Sequence, residues 1–164
     1  MTALEVAASQ VGVRETGRNR GAEIDRYLKS IGLEPGQPWC AAFVAWCLME
    51  SGVSRDKLPA SAGAVRAWVR WAELSGRLRT KPGRGWLFWW LNADGFGHIG
   101  FVAGGIPGLF RTIEGNTEGL FRTIEGNTDD AGSREGDGVR RRYRTTRSMA
   151  KRHRHGYISL RGLA

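Results

Sequence analysis

The stretch Cys40-Ala41-Ala42-Phe43-Val44-Ala45-Trp46-Cys47-Leu48-Met49-Glu50-Ser51 decides the fold. It is entered through Gln37-Pro38-Trp39 and stopped by Gly52. The segment reads as a helix with almost nothing polar on its outer surface, and a helix that is apolar all round belongs in a core. Residues 41–49 are apolar without a break, and even with Trp39 and Cys40 the run is far short of the ~20 needed to span a bilayer. A central buried helix is therefore predicted, with no membrane span. Working outward, residues 4–11 and 22–31 read as helices. In the second, Ile24, Tyr27, Leu28 and Ile31 form one stripe and Gly32 is the stop. Residues 34–38 carry two prolines and a glycine and form a loop. Residues 62–74 make a fourth helix, with Val65, Trp68, Val69 and Ala72 along one face.

After Gly76 the pattern changes. Residues 86–91, 99–103, 109–113, 139–145 and 157–160 read as short strands separated by Gly, Asn, Asp and Pro. Helices first and an antiparallel sheet after them is an α+β arrangement. The chain has 164 residues, so one domain spanning 1–164 is expected, large enough to bury a core without disulfides or a structural metal. Its 24 glycines suit many turns. Residues 1–13 lack a basic start followed by an apolar stretch, so no secretory signal is read there. The expectation is synthesis in the cytoplasm, with any action outside depending on release or delivery.

The net charge is +9. Residues 134–164 hold ten Lys/Arg against two Asp/Glu, which leaves fifteen against fourteen in the first 133. The basic character is thus C-terminal and implies a polyanionic partner. A nucleic-acid-binding module is one reading of the dense run from Arg140 to Arg154 with Tyr143 interleaved. No nucleic-acid fold signature accompanies it, and such a run is commonly a solvated face.

The two cysteines, Cys40 and Cys47, lie ~10 Å apart along the predicted helix, beyond disulfide reach. No cysteine/histidine spacing suggests zinc. Cys40 opens the helix, where free amides and the positive end of the dipole favour an anionic sulfur and could hold an oxyanion. Cys47, two turns in, has no such help and reads as core; Cys40 on position alone could be either. His98, between glycines in Gly97-His98-Ile99-Gly100, is the best partner for a nucleophilic Cys40 by elimination, because His153 and His155 lie among arginines. On a strand, Glu114 and Asn116 of Ile113-Glu114-Gly115-Asn116-Thr117 share a face. Either could hold the second nitrogen of the histidine.

One feature complicates this assignment. The ten residues GLFRTIEGNT occur at 108–117 and again at 119–128. Two copies do not make a solenoid. Glu125 and Asn127 repeat Glu114 and Asn116. Residues 99–103 can pair with 109–113 through the short connection 104–108, which favours Glu114 as the orienting carboxylate. Glu125, with Asn127, is the alternative.

Taken in order, the Arg14-Glu15-Thr16-Gly17 turn, Pro38-Trp39-Cys40-Ala41-Ala42-Phe43-Val44, Gly97-His98-Ile99-Gly100-Phe101-Val102 and Ile113-Glu114-Gly115-Asn116-Thr117 resemble the CHAP family. These are cysteine- and histidine-dependent amidohydrolases/peptidases with a papain-like core. Ser133-Arg134-Glu135-Gly136-Asp137-Gly138-Val139 and Gly156-Tyr157-Ile158 are also similar, so the resemblance runs from about residue 4 to 160. It implies cleavage of an amide bond in peptidoglycan. Cys40 would be the nucleophile, His98 the general base and then acid, Glu114 the group orienting His98, and Asn116 an accessory polar residue. It implies no cofactor and no metal. Some relatives carry an Asp-rich calcium loop ahead of the cysteine, but residues 18–36 hold only Asp25 and two glutamates, so no calcium site is expected. The basic segment would then favour adsorption to anionic wall polymers. Trp86, Trp89 and Trp90 are read as sheet core, with a wall of a substrate groove as the alternative.

Overall fold

In a computed structural model, the residues described are 1–105, 120–128 and 136–163. Helices α1 (Ala3–Ser9), α2 (Ala22–Lys29), α3 (Cys40–Glu50) and α4 (Val65–Leu74) come first. They are followed by strands β1 (Leu78–Arg79), β2 (Leu87–Leu91), β3 (Gly97–Gly105), β4 (Leu120–Thr128) and β5 (Gly138–Thr145). A short α5 (Thr146–Ala150) then leads to β6 (Arg154–Ile158). The six strands form one sheet in the order β1-β6-β2-β3-β4-β5, with antiparallel pairings throughout. This is the α+β arrangement read from the sequence. No helix among the described residues is long and apolar enough to cross a membrane.

Every residue of α3 from Cys40 to Leu48 is buried. Its all-apolar surface requires cover on every side: α1 and α2 pack on it from one direction and β3 and β4 from another. The strand Leu87–Leu91 is likewise buried along its length, because the sheet has apolar cover on both faces. Leu87, Trp89, Leu91, Ile99, Phe101 and Ile124 join the main core with α3. Phe88, Trp90, Val102, Met149 and Tyr157 form a second, smaller core that includes Met149 of α5. Trp89 and Trp90 are thus sheet core, as read.

The duplicated segment departs from expectation. β3 pairs with the second copy, through Phe101↔Ile124 and Val102↔Thr123, and β4 then pairs with β5 through Glu125↔Arg140. The expected strand at 109–113 lies outside the described residues, as do Glu114 and Asn116. Loop length is a weak ground for choosing between the copies, because one connection shortens as the other lengthens. Using the second copy leaves residues 106–119 between β3 and β4 and 129–137 between β4 and β5. Using the first would shorten one connection and lengthen the other by the same eleven residues. Because closure entropy grows only logarithmically, the two arrangements differ by less than about 1 kcal/mol.

Candidate active site

Cys40 is the first residue of α3, and no side chain caps that helix start. The preceding Trp39 is fully buried, with its ring 5.8 Å from Tyr27 and 6.4 Å from Phe43. Its indole Nε1 donates to Glu15 Oε1 at 2.7 Å. The other oxygen of Glu15 accepts from the Asn19 amide at 2.8 Å, and the Glu15 amide donates to the Asp137 carbonyl at 2.7 Å. The Arg14–Gly17 turn therefore ties the entrance of α3 to the start of β5. Sequence reading noted this turn only as part of a resemblance; its structural task is to hold Trp39, and through it the residue that opens the helix.

His98, the second residue of β3, faces Trp90 across the β2–β3 ladder and is completely buried. Its ring lies 6.0 Å from Phe88 and 6.2 Å from Trp90. Nε2 is 3.0 Å from Glu125 Oε2. The carboxylate seen beside His98 is therefore that of Glu125, the alternative in the second copy of the repeat, while the expected Glu114 lies outside the described residues. Glycines make the approach possible. A Cβ on Gly100 would sit 2.9 Å from the Ile124 carbonyl and 3.0 Å from Glu125 Cγ. A Cβ on Gly126 would sit 2.7 Å from Trp39 Cζ3 and 2.9 Å from Phe43 Cγ. One glycine lets Glu125 lie beside β3, and the other lets β4 lie against the start of α3. Asn127 is buried at a positive φ of 56°, within the irregularity between Glu125 and Thr128.

Glu125 is held by more than His98. Arg144 Nη2 donates to Oε2 at 2.6 Å and Arg144 Nε to Oε1 at 2.9 Å, while the Thr123 hydroxyl donates to Oε1. Burial alone would raise the pKa of this carboxyl, but the hydrogen bonds and charges of His98 and Arg144 outweigh it and hold it near 2. Burial likewise opposes a charged His98 ring. The hydrogen bonds and charges of Cys40 and Glu125 overcome that and raise the ring to about 9. An ionised Glu125 takes the Nε2–H of a neutral His98, which leaves the lone pair on Nδ1. Nδ1 is buried and makes no hydrogen bond of normal geometry, although the Cys40 thiol acts on the ring electrostatically.

The structure thus brings together Cys40, His98 and Glu125. Cys47 is buried in α3, and burial pushes its thiol well above the ordinary value. Sequence reading missed Arg144, which it placed in the basic run. The available signal was alternation: Arg140, Arg142 and Arg144 are half-buried on β5, while Arg141 and Tyr143 are exposed. A cavity of about 1220 Å³, lined by residues including Leu48, Ser51, Arg84, Trp86, Thr123 and Arg141, includes none of Cys40, His98 and Glu125, although it reaches the Thr123 that donates to Glu125. Among the described residues no group of three His, Cys, Asp or Glu is arranged to hold a metal.

The model of the CHAP domain matches residues 32–116. No curated protein and no solved structure gives a significant match. The matched span includes Cys40 and His98 and stops at Asn116, in the first copy of the repeat.

Proposed function

The chain belongs to the CHAP domain family, and from that premise we propose that it is a peptidoglycan hydrolase that cuts an amide bond with Cys40 as nucleophile. The observation that carries the proposal is the Glu125–His98 bond at 3.0 Å in a ring that also feels the Cys40 thiol. His98 Nδ1 takes the thiol proton, and Sγ attacks the carbonyl carbon of the scissile amide. The oxygen becomes negative and is met by backbone N–H groups at the uncapped start of α3. The imidazolium then protonates the leaving nitrogen as the C–N bond breaks, leaving a thioester on Cys40. Water attacks the thioester carbonyl while His98 takes its proton. The C–S bond breaks, and the proton returns to sulfur with release of the acid. Glu125 stays ionised throughout and orients the ring.

The reading extends to a lysin released from its host cell or an effector delivered to a target. Either acts on the wall, with exposed Arg141, Arg147, Lys151 and Arg154 meeting anionic wall polymers. Added salt then weakens adsorption to walls while turnover of a small soluble peptide changes little. The deciding experiment adds wild type and Cys40→Ala to isolated walls and follows turbidity, new amino groups and new reducing ends. Clearing with new amines and no new reducing ends, lost in Cys40→Ala, is expected. Clearing that survives the substitution, or DNA binding without any clearing, refutes the reading.

A further inference from the structure

We infer that Arg144 is a positioning residue of this site. By gripping both oxygens of Glu125, it fixes the carboxylate that orients His98, and it supplies the fourth charge once the Cys40 proton has passed to His98: thiolate, imidazolium, carboxylate, guanidinium. The inference rests on the reading of Cys40 and His98 as the reacting pair.

The geometry is a two-pronged fork, at 2.9 Å and 2.6 Å. Arg presents this arrangement through a planar group and Lys cannot reproduce it. The guanidinium also lies over the Phe88 ring at 5.5 Å. Phe88 is in turn 6.0 Å from the His98 ring. Arg144 and His98 therefore share two neighbours, Glu125 and Phe88, so displacing the guanidinium frees the carboxylate to follow it and loosens the ring. Arg144 comes from β5, at the edge of the sheet, yet its side chain is only 11% exposed and that of Glu125 is 0% exposed.

Charge makes the second half of the argument. Cys40 as thiolate, His98 as imidazolium, Glu125 as carboxylate and Arg144 as guanidinium sum to zero. Without Arg144 the same buried group carries one net negative charge, which a dry site resists by taking up a proton. Among the described residues, His98 and Arg144 are the charged groups that act on Glu125, although Arg142 lies on the same face of β5, opposite Thr123. β2 contributes only apolar residues, and α3 adds no acid in its first turn. Arg140, opposite Glu125 in the ladder, directs Nη2 to Asp137 at 3.1 Å. Arg152, after α5, lies over Trp90 at 4.2 Å. Arg147 of α5 is exposed.

The test uses the full chain and reads Cys40 directly. Alkylation by iodoacetamide is followed across pH, with the modified peptide identified by mass, in wild type, R144M, R144K and R144A. Thermal melts and, on walls, kcat and KM are recorded in parallel. In R144M, alkylation at neutral pH is expected to fall on the order of 10–100-fold, the range that loss of an outer hydrogen-bond partner costs at metal-bound histidines. Its pH profile moves, and kcat falls with KM nearly unchanged. R144K recovers part of the loss, and added guanidinium ion restores R144A. A wild-type pH profile in R144M, whatever its melting temperature, overturns the inference. If R144M does not fold, R144K decides: a displaced profile supports the inference and an unchanged one overturns it. Wild-type protein that alkylates at Cys40 but leaves walls intact sinks the hydrolase reading and not this one.

Discussion

Replacing Glu125 by glutamine tests the whole arrangement at its centre. The carboxylate accepts from His98 or its imidazolium, twice from Arg144 and once from Thr123, all in a buried setting. An amide of the same shape keeps one acceptor but turns an NH2 toward groups that are themselves donors, and it leaves Arg144 facing His98 with no anion between them. Breaking a buried ion pair on one side costs roughly 3–5 kcal/mol. For a domain of this size that corresponds to a melting temperature lower by on the order of 10 °C. The pH dependence gives a sharper signature. Glu125 is lowered from 4.5 to about 2, so its contribution is present above 4.5 and is lost as pH falls through 2. His98 is raised from 6.5 to about 9, so its contribution is complete below 6.5 and is lost as pH rises through 9. Wild-type stability should therefore form a plateau between pH 4.5 and 6.5 and decline on both sides. Glu125→Gln should lower and flatten that profile, because the acid limb belongs to Glu125 itself and the His98 shift loses the part that Glu125 supplies, keeping the part from Cys40. Denaturant melts from pH 3 to 10 measure it, with wall lysis as the second readout. Glu114→Gln removes none of these contacts and should change neither. A severe loss in Glu114→Gln beside a mild one in Glu125→Gln would refute the reasoning and show that the first copy is the working strand.

The remaining predictions concern the groups around this centre. Cys40→Ser abolishes turnover with a melt close to wild type, whereas Cys47→Ala keeps turnover and costs on the order of 1 kcal/mol of core packing; wall clearing and thermal melts separate the two. Glu15→Ala strands the buried Trp39 Nε1 donor and costs about 1–3 kcal/mol, while Glu15→Gln retains an acceptor oxygen and recovers most of it, as melts will show. Gly126→Ala drives a methyl into Trp39 and Phe43, costing about 1–3 kcal/mol. Because the strain falls between β4 and the start of α3, its activity drops at temperatures where the protein is still folded.

What could be read in the chain, and what could not, follows from how local each signal is. The unbroken apolar surface of residues 40–48 leaves a helix no option but the core, and α3 is buried there. The glycines of Gly97-His98-Ile99-Gly100 mark a place where backbones or side chains approach closely, and Gly100 makes room for Glu125. Other elements had little local signal. β1 is two residues long and exists through its pairing with β6. α5 is a single turn or so, closed by reciprocal Thr145 and Ser148 hydrogen bonds in a segment that composition marks only as basic. Arg144 was hidden for a related reason. Six arginines between 140 and 152 look like one solvated surface, and only the two-residue period of β5 sorts them into those facing inward and those facing water.

The repeat marks a firmer boundary to sequence reading. From 108 to 117 and from 119 to 128 the residues are identical, so strand propensity and side-chain pattern are the same for either copy. Matching a family pattern along the chain meets the first copy after the shorter gap and ends there, at Asn116. The folded chain meets a different condition, because β4 must join β3 on one side and β5 on the other. The eleven residues left out of the strand lengthen one connection or the other whichever copy is used. Entropy is then nearly indifferent, and the choice passes to the flanks, the only places where the copies differ. After the second copy the chain returns at once: the Gly136 amide donates to the Asn127 carbonyl at 3.2 Å, and Thr128 pairs with Gly138. Next to that return, the Glu15 amide bonds to the Asp137 carbonyl, and the Glu15 side chain holds the indole of Trp39. The start of β5 is thus fastened to the entrance of α3. The copy adjoining that fastening is the one whose carboxylate reaches His98.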